Sequence, residues 1–283
     1  MGITVLNGLM LASTLGLVAV GLAIIFGLLR IVNLAHGELF IIGAYTVFAV
    51  EAATGAAWLG VAMAPVVVGV VGLALDRGLL HRLYHRPLDT LVVTWGISIV
   101  LREVLRLLFG ADTKNVAVPV GGQISVLGVT YPAYRVVLIV TASAVLAGVL
   151  LFFARTSFGA KVRAVIQNRD MAEAMGINSR RIDSMVFAIG AGLAGLAGAL
   201  IVPLLGLHPE VGLFYLARSF IVVIVGGVGS LAGTVGGAAV IGGSEAGISY
   251  LASPVLAQSL LFLLAILLIR LRPQGLFARG GQR

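Results

Sequence analysis

Nine long apolar runs constrain this chain more than any other feature of its sequence. They are 5–29, 33–52, 58–75, 90–108, 132–154, 182–205, 215–228, 231–252 and 254–271. A helix needs about 20 apolar residues to cross the hydrocarbon core of a bilayer. Charged residues make up only 11% of the chain, whereas soluble proteins carry about 25%. The sequence therefore predicts an all-α, polytopic membrane bundle with about eight or nine spans, including broken or re-entrant helices.

The runs leave little sequence for a soluble domain, so we expect 1–283 to form one transmembrane domain. The runs are unbroken and rich in Leu, Ala, Val and Gly, whereas membrane strands would alternate apolar and polar residues. Residues 1–29 carry no charge. The first run lacks the basic start of a cleavable signal peptide and exceeds its apolar length, so it is predicted to be the first span.

Lysine and arginine residues cluster in three stretches between or after the apolar runs. The clusters are Arg77, Arg82 and Arg86; Arg155, Lys161, Arg163, Arg169, Arg180 and Arg181; and Arg270, Arg272, Arg279 and Arg283. Because basic loops stay on the cytoplasmic side, these stretches are predicted to be cytoplasmic, and loops 110–131 and 206–214 to be outside. The net charge of +8 therefore reflects orientation and not a nucleic-acid-binding face.

The last third of the chain limits how many times the chain can cross the membrane. Between the outer loop 206–214 and a cytoplasmic C-terminus the chain crosses an odd number of times, and 215–271 is too long for one helix. Three crossings satisfy this, with the first one short. Alternatively, 215–228 is a re-entrant half-helix. Counting back places Arg30 inside and the N-terminus outside.

A polar stretch opens the second apolar run. It contains Asn33, His36 and Glu38, and ionisable groups at membrane depth are costly unless they are paired or hydrated. Asn33 can cap the following helix, with Glu38 in its first turn. The stretch is thus either a cap with an interfacial charge or a helix broken near a translocation pathway.

A second break is predicted at the glycine-rich stretch that contains Gly226, Gly227 and Ser230. Paired glycine-interrupted segments in the two halves of a transporter indicate a central pathway. Glu245 lies in the following run, where a membrane carboxylate either faces a polar cavity or pairs with a base on another helix.

The fourth run carries two further groups of polar residues. Thr94, Trp95 and Ser98 lie within it and are pathway candidates, because an indole away from the interface needs a partner. Nearer its end, the stretch 102–106 has the spacing of an ion-paired interfacial anchor.

The cytoplasmic stretch 155–181 is predicted to contain two short helices, 160–167 and 170–175. Asn168 is the predicted N-cap of the second helix, Asp170 with Glu173 resembles a capping box, and Gly176 ends the helix. A solvated basic loop would not need apolar side chains such as Met175. We therefore expect this stretch to dock onto a soluble partner, the alternative being a solvated loop.

Several kinds of chemistry are not expected of this chain. Its two lysines, Lys114 and Lys161, do not follow glycine, so no phosphate-binding loop is present. It has no cysteine, and His81 with His85 would give only two ligands, so no metal site is expected. No nucleophile and base pair can be assembled, so an intramembrane enzyme is the least favoured class.

Eight short motifs distributed along the chain together form a family signature. They are Asn33-Leu34-Ala35-His36-Gly37-Glu38, Gly43-Ala44-Tyr45, Arg86-Pro87-Leu88-Asp89-Thr90, Thr94-Trp95-Gly96, Arg163-Ala164, Ala172-Glu173-Ala174-Met175-Gly176-Ile177, Gly226-Gly227-Val228-Gly229-Ser230-Leu231-Ala232-Gly233 and Arg272-Pro273-Gln274-Gly275-Leu276-Phe277. With these motifs the chain resembles the first permease subunit of the branched-chain amino acid and amide ABC importers. The motifs at 86–90, 94–96 and 272–277 are closest to the urea permease branch.

The resemblance implies a complex of several subunits. It implies a second, related permease, two cytoplasmic ATPases that bind ATP and Mg²⁺, and a periplasmic binding protein that delivers urea, a short amide or a branched-chain amino acid. This chain itself is expected to bind no cofactor. The predicted ATPase-coupling residues are Arg163, Asp170, Ala172, Glu173, Ala174, Met175, Gly176 and Ile177.

Two other transport mechanisms remain open from the sequence. An ion-coupled secondary transporter would use broken helices and Glu38 or Glu245. A passive amide channel would conduct down a gradient without an ATPase.

Overall fold

Almost the whole chain is helical. The computed structural model describes residues 1–29, 31–84, 86–126, 128–272 and 274–277. Predictions that rest on Arg30, His85, Pro273, Arg279 and Arg283 lie outside these residues. The helices are α1 (Gly2–Leu29), α2 (His36–Thr54), α3 (Ala57–Gly78), α4 (Pro87–Phe109), α5 (Ala133–Arg155), α6 (Ser157–Gln167), α7 (Arg169–Ala174), α8 (Ser179–Ile201), α9 (Val211–Gly226), α10 (Leu231–Leu251) and α11 (Pro254–Leu271). Each of the nine apolar runs forms a helix, which confirms the predicted all-α polytopic class.

Fewer helices pass a strict length and hydropathy criterion for membrane crossing than the eight or nine spans predicted. Within the described residues, α1, α2, α3, α5 and α8 pass it. Helices α9 and α10 pass only as a pair bent by 115°, and α9 alone has 16 residues. Helix α4 is long enough, but it carries Asp89, Arg102, Glu103 and Arg106. The difference from the prediction therefore lies in the bent pair α9–α10, in the charged helix α4 and in α11, whose apolar stretch covers only Val255–Leu268.

Helices α1, α2 and α8 form the centre of the bundle. The middle of α1 is fully buried, with Leu17 and Val20 among its inaccessible side chains, as expected for a helix that is apolar all round. Helix α1 runs antiparallel to α10, because Gly8 lies against Ala246 and Gly16 against Ala238.

Small residues let α8 approach α2 closely. A Cβ atom on Gly43 would overlap the backbone of Gly195, and one on Gly198 would overlap the carbonyl of Phe40. In lipid such close approach supplies packing that no hydrophobic force between helices provides. The missing side chains of these glycines thus allow the two helices to pack in direct backbone contact.

The two loops predicted to be outside meet at one end of the bundle. Lys114 and Leu207 exchange backbone hydrogen bonds of 2.8 and 2.9 Å. The first loop also contains an antiparallel hairpin of β1 (Gln123–Val126) and β2 (Val129–Pro132), which the sequence did not predict. The position of both loops at the same end of the bundle agrees with the prediction that both lie on the outer side of the membrane.

Candidate functional site

The first helix break lies inside the bundle, between α1 and α2. Asn33 is fully buried, and its Oδ1 accepts a 3.0 Å hydrogen bond from the backbone N–H of Ala35. The helix begins only at His36, so the prediction that Asn33 caps it directly is wrong. The side chain instead closes an Asx turn before the helix, a local bond that competes with helix formation.

Thr94 of α4 supplies hydrogen bonds to the unwound backbone at this break. Its Oγ1 accepts from the N–H of Leu34 at 3.2 Å and lies 3.4 Å from the carbonyl of Val32. Thr94 is itself fully buried. Thr94, a predicted pathway candidate, thus forms hydrogen bonds with backbone groups that have no helical partner at the break.

Glu38 is a buried carboxylate paired with α4. Arg102 Nη2 lies 2.6 Å from Glu38 Oε1, and Ser98 Oγ donates to the same oxygen at 2.9 Å. The side chain of Glu38 is 1% exposed and that of Arg102 is 20% exposed. The interpretation of Glu38 as an interfacial charge is therefore wrong. Because it lies inside the bundle it needs the base that α4 provides.

A second arginine of α4 holds the start of α9. Arg106 Nη2 lies 2.6 Å from Glu210 Oε1, and Arg106 Nη1 lies 3.3 Å from Glu103. Partial burial alone would raise the pKa of the Glu210 carboxyl, but contacts with Arg106 and His208 bring that pKa below its ordinary value. The ion pair expected within 102–106 is thus observed, and the arginines of this stretch also connect α4 to α2 and to the start of α9.

Two predicted pathway candidates do not join this cluster. Trp95 is 59% exposed, whereas Thr94 and Ser98 are buried, so its indole lies outside this cluster. His36 is fully buried, and its Nε2 lies 3.2 Å from the carbonyl of Val18 in α1. This ring therefore locks the start of α2 against α1.

Buried polar atoms without a hydrogen-bond partner concentrate around the first break. Among the described residues, such atoms there are Asn33 Nδ2, His36 Nδ1, Glu38 Oε2, Tyr45 OH, Arg102 Nε and Arg106 Nε. Leaving a buried polar group unpaired costs about 1–3 kcal/mol. Such a concentration indicates a place where water or a polar solute completes the bonding.

The second break is a tight turn between α9 and α10. Gly227 and Gly229 have positive φ angles of 106° and 85°, and Ser230 caps α10 by accepting from the N–H of Gly233 at 3.0 Å. Gly226 packs against the carbonyl of Gly233. The predicted break is thus confirmed, and Gly226, Gly227 and Ser230 form the bend between the two helices.

Glu245 pairs with a base on the neighbouring helix. Arg218 Nη2 of α9 lies 2.5 Å from Glu245 Oε1, and both side chains are largely buried, at 20% and 11% exposure. Of the two interpretations drawn from the sequence, helix pairing is the one observed. The sequence did not identify Arg218 as the partner.

The segment between α5 and α8 folds into the two expected short helices. Asn168 caps α7 by accepting from the N–H of Met171 at 3.0 Å, and Gly176 has a φ of 81° after its end. Both predictions are confirmed. The capping box of Asp170 with Glu173 is wrong, because the cap residue is Asn168 and Glu173 bonds to Ser179 and Arg169.

One face of this segment is packed and the other is open. Val162, Val165 and Ala172 are buried, whereas Met171 and Met175 are 59% and 76% exposed. Of the remaining predicted coupling residues, Ile177 is half-buried, and Asp170, Glu173, Ala174 and Gly176 are exposed. Arg163 turns back and donates to the carbonyl of Phe153. The open face thus presents two methionines, which suit adaptable contacts.

A polar network joins this segment to two helices of the bundle. Arg169 pairs with Asp183 of α8. The adjacent Ser184 donates to Asp76 of α3 at 2.5 Å, and Tyr84 donates to the other oxygen of Asp76. A polar cleft of about 190 Å³ beside it is lined by His81, Tyr84, Arg169, Glu173, Ser179, Arg180 and Asp183.

Asp76, Tyr84, Asp183 and Arg218 were not predicted from the sequence as functional residues. Asp183 and Arg218 lie inside predicted apolar runs, and this position could have selected them, because charged groups need partners at membrane depth. Within the described ranges, no group of three His, Cys, Asp or Glu side chains could hold a metal ion.

Comparison with known proteins gives a consistent result. Residues 4–271 match the family model described as the permease component of the branched-chain amino acid transport system. The chain is 29% identical to the high-affinity branched-chain amino acid transport system permease protein BraD of Pseudomonas aeruginosa, with 96% of this chain and 94% of the relative covered. It is 31% identical to the permease protein LivH of the corresponding system of Escherichia coli K12, with the same coverage. A solved structure, PsaBC from Streptococcus pneumoniae in complex with Fab, aligns with 92% of this chain and 90% of that chain at a TM-score of 0.48 and 15% identity.

Proposed function

The chain belongs to the family of permease components of branched-chain amino acid transport systems, and from this premise we propose the complex in which it works. It pairs with a second, related permease in the bacterial inner membrane. Two cytoplasmic ATPases drive the pair, and a periplasmic protein delivers the solute. The chain is a transport subunit and not an enzyme.

The observation that carries this proposal is the segment α6–α7. Its buried side packs on the bundle, while Met171 and Met175 face outward from it. An exposed apolar patch on an otherwise basic, polar loop fits a groove in a soluble protein. The ATPases supply ATP and Mg²⁺, which this chain does not hold, since its sequence has no phosphate-binding loop.

The polar network beside α7 connects the docking segment, and through it the ATPases, to the membrane helices. A displacement of α7 acts on α8 through Arg169 and Asp183, and on α3 through Ser184 and Asp76. Closure of the ATPases on ATP then favours one access state of the bundle, because nucleotide and the loaded receptor bind the two states with different affinity.

The basic stretches support an orientation with the segment 155–181 and the C-terminus in the cytoplasm. The loops that meet at Lys114 and Leu207 then lie in the periplasm, together with the N-terminus. These loops are where the solute-binding protein docks.

The proposed solute is small and polar. Urea or a short amide is the first candidate, because the stretches 86–90, 94–96 and 272–277 resemble the urea permease branch. A branched-chain amino acid is the second candidate, because BraD and LivH carry that name.

The test is uptake by the co-purified complex in proteoliposomes, with labelled urea and labelled leucine as separate arms. We expect uptake of one of them only with ATP and the loaded binding protein present. Uptake driven by an ion gradient without ATP would establish a secondary transporter instead. Downhill flux through this chain alone would establish a channel.

A further inference from the structure

A groove of about 570 Å³ lies at the end of the bundle that carries the β1–β2 hairpin. Its floor is the start of α1, and its walls are β2, the start of α5 and the end of α10. The volume falls within the range of about 300–1,000 Å³ that is typical of small-molecule sites. None of the described residues that line the groove is a predicted pathway or coupling residue, so its role is a separate question.

The deeper part of the groove is apolar. Met10 and Leu11 of α1 and Ala246 of α10 line it there. From Ile3 to Leu11 the axis of α1 advances about 12 Å, at 1.5 Å per residue. The hydrocarbon of one bilayer leaflet is about 15 Å thick, half of the whole core. The groove is therefore about as deep as one leaflet.

The groove ends where α1 meets both of its helical walls. A Cβ atom on Gly16 of α1 would lie 3.1 Å from Leu146 of α5 and 3.3 Å from Ala238 of α10. At that depth α5 and α10 both pack on α1, whereas closer to the end of the bundle the groove separates them. Since α1 and α5 are long and apolar enough to cross a membrane, the apolar part of the groove lies among the acyl chains.

A charged side chain lies at the rim of the groove. Arg135, in the first turn of α5, has its guanidinium carbon 5.8 Å from the centre of the Tyr131 ring. Its Nη1 donates to Asn7 Oδ1 at 3.4 Å, and Tyr131 donates to the same oxygen at 2.8 Å. The aromatic face and the shared acceptor together hold the guanidinium in place.

The charge of Arg135 is not balanced within the groove. No Asp or Glu is among the described residues that line the groove, and the bond to Asn7 is the one hydrogen bond that Arg135 makes within the described chain. A guanidinium has five N–H donors in a planar fork. Such a fork binds phosphate oxygens through two parallel bonds. The rim therefore favours an anion, and a phosphate group fits its donors.

Two tyrosines indicate that the rim lies at the membrane surface. Tyr131 contacts Arg135, and Tyr250 lines the groove at the end of α10 and is 71% exposed. Tyrosine is enriched at the boundary between the hydrocarbon and the headgroups. A base at headgroup level above an apolar groove matches an amphipathic anion. Because the chain lies in a bilayer, phospholipid is the ligand of this kind that is always present.

We infer that this groove binds one anionic phospholipid. Arg135 donates to the phosphate, and an acyl chain lies along Met10, Leu11 and Ala246. A zwitterionic headgroup fits less well, because its ammonium finds no carboxylate in the groove. The bound lipid contacts α1, α5 and α10 together and so stabilises this end of the bundle. The site does not depend on the proposed function, although the orientation proposed there assigns it to the periplasmic leaflet.

The test titrates the co-purified complex in detergent with short-chain phosphatidylglycerol and follows thermal unfolding. A ligand that binds only the folded state raises Tm in a saturable way. We expect Arg135→Gln to weaken the apparent affinity for phosphatidylglycerol about tenfold, because a charge-assisted bond to the phosphate is lost. The control Arg86→Gln changes an exposed arginine at the start of α4 and should leave this affinity unchanged.

A second variant tests the apolar part of the groove. Ser249 lines the groove on α10, so the indole of Ser249→Trp occupies the space of the acyl chain while Arg135 remains. We expect this variant to lose the saturable rise in Tm. The control is Leu251→Trp, which places the same side chain at an exposed position of α10 outside the groove and should keep the rise.

The alternatives give different results. An equal rise in Tm with inorganic phosphate would show a small-anion site, and an equal rise with phosphatidylcholine of the same chain length would show unspecific lipid binding; either result overturns the inference. Unchanged affinity in both Arg135→Gln and Ser249→Trp would place the lipid elsewhere. If Arg135→Gln does not assemble, Ser249→Trp and its control decide the question. ATP-driven uptake is not measured here, so failure of this inference leaves the importer proposal intact.

Discussion

Arg102 Nη2 of α4 lies 2.6 Å from Glu38 Oε1 of α2, across 64 positions of sequence. The two residues belong to helices that share few other side-chain bonds, and Ser98 completes the contact. This ion pair therefore joins α4, whose outer side is exposed, to the helix whose start lies buried in the bundle.

Removing Arg102 should destabilise the protein strongly. Arg102→Ala leaves the buried Glu38 carboxylate without its base, and breaking a buried pair in this way costs on the order of 3 kcal/mol. Thermal unfolding of the purified complex measures it. The control Glu103→Ala removes an exposed partner of Arg106 and should change stability by about 0.5 kcal/mol or less. Equal effects would show that the Glu38 pair is not buried in the membrane.

A methyl group at the α2–α8 crossing should disrupt packing. In Gly43→Ala the new Cβ overlaps the backbone of Gly195, so the helices must separate, at a cost of about 1–3 kcal/mol. The control is Gly148→Ala in α5, where no atom lies within 4 Å. There the change should stabilise the helix by about 0.5–1 kcal/mol. A neutral Gly43→Ala in the melting assay would contradict the close approach.

A charge at the tip of α7 should weaken contact with the ATPases. Met175 is 76% exposed, so Met175→Asp leaves the fold intact but puts a carboxylate into an apolar interface. We expect co-purified ATPase and uptake to fall about tenfold or more. Val118→Asp makes the same change at an exposed position in the opposite loop. It should leave the amount of co-purified ATPase unchanged and serves as the control for that measurement. Normal uptake by the Met175 variant would rule out α7 as the docking site.

Neutralising Asp183 should separate ATP hydrolysis from transport. Asp183→Asn removes the charge that holds Arg169, a bond worth about 1.5–3 kcal/mol. The segment can then still bind the ATPases, but it moves α8 less. We expect uptake per ATP hydrolysed to fall while ATPase binding persists. Asp89→Asn, which neutralises an exposed carboxylate outside α6–α7, should retain normal coupling, and an equal loss there would refute a specific role for Asp183.

The contact between Arg106 and Glu210 should depend on pH. The pKa of Glu210 in the folded protein lies below its ordinary value of 4.5. Its stabilising contribution is therefore complete above about pH 4.5 and is lost as the pH falls through the lower, folded-state pKa. Melting curves of the unmodified protein and Glu210→Gln should converge in this acidic range. A constant difference between them at every pH would contradict the shift.

The sequence alone determined the membrane architecture and the local signals in the segment 155–181. Apolar runs of sufficient length place helices wherever they occur, since a backbone in lipid must bond to itself. Caps such as Asn168 and stops such as Gly176 act within four residues, so they can be identified without a fold. The sequence likewise located the breaks before α2 and α10, since breaks are also local.

Only the tertiary structure decided which polar groups meet. Glu38 finds Arg102 at a separation of 64 residues, Glu245 finds Arg218 at 27, and Asp76 finds Ser184 at 108. Each carboxylate needed a partner at membrane depth, and that need was visible in the sequence for Glu38 and Glu245. The identity of the partner was not, because it depends on which helices lie side by side and how each is rotated. The same rotation places Thr94 and Ser98 inside the bundle and their neighbour Trp95 outside it.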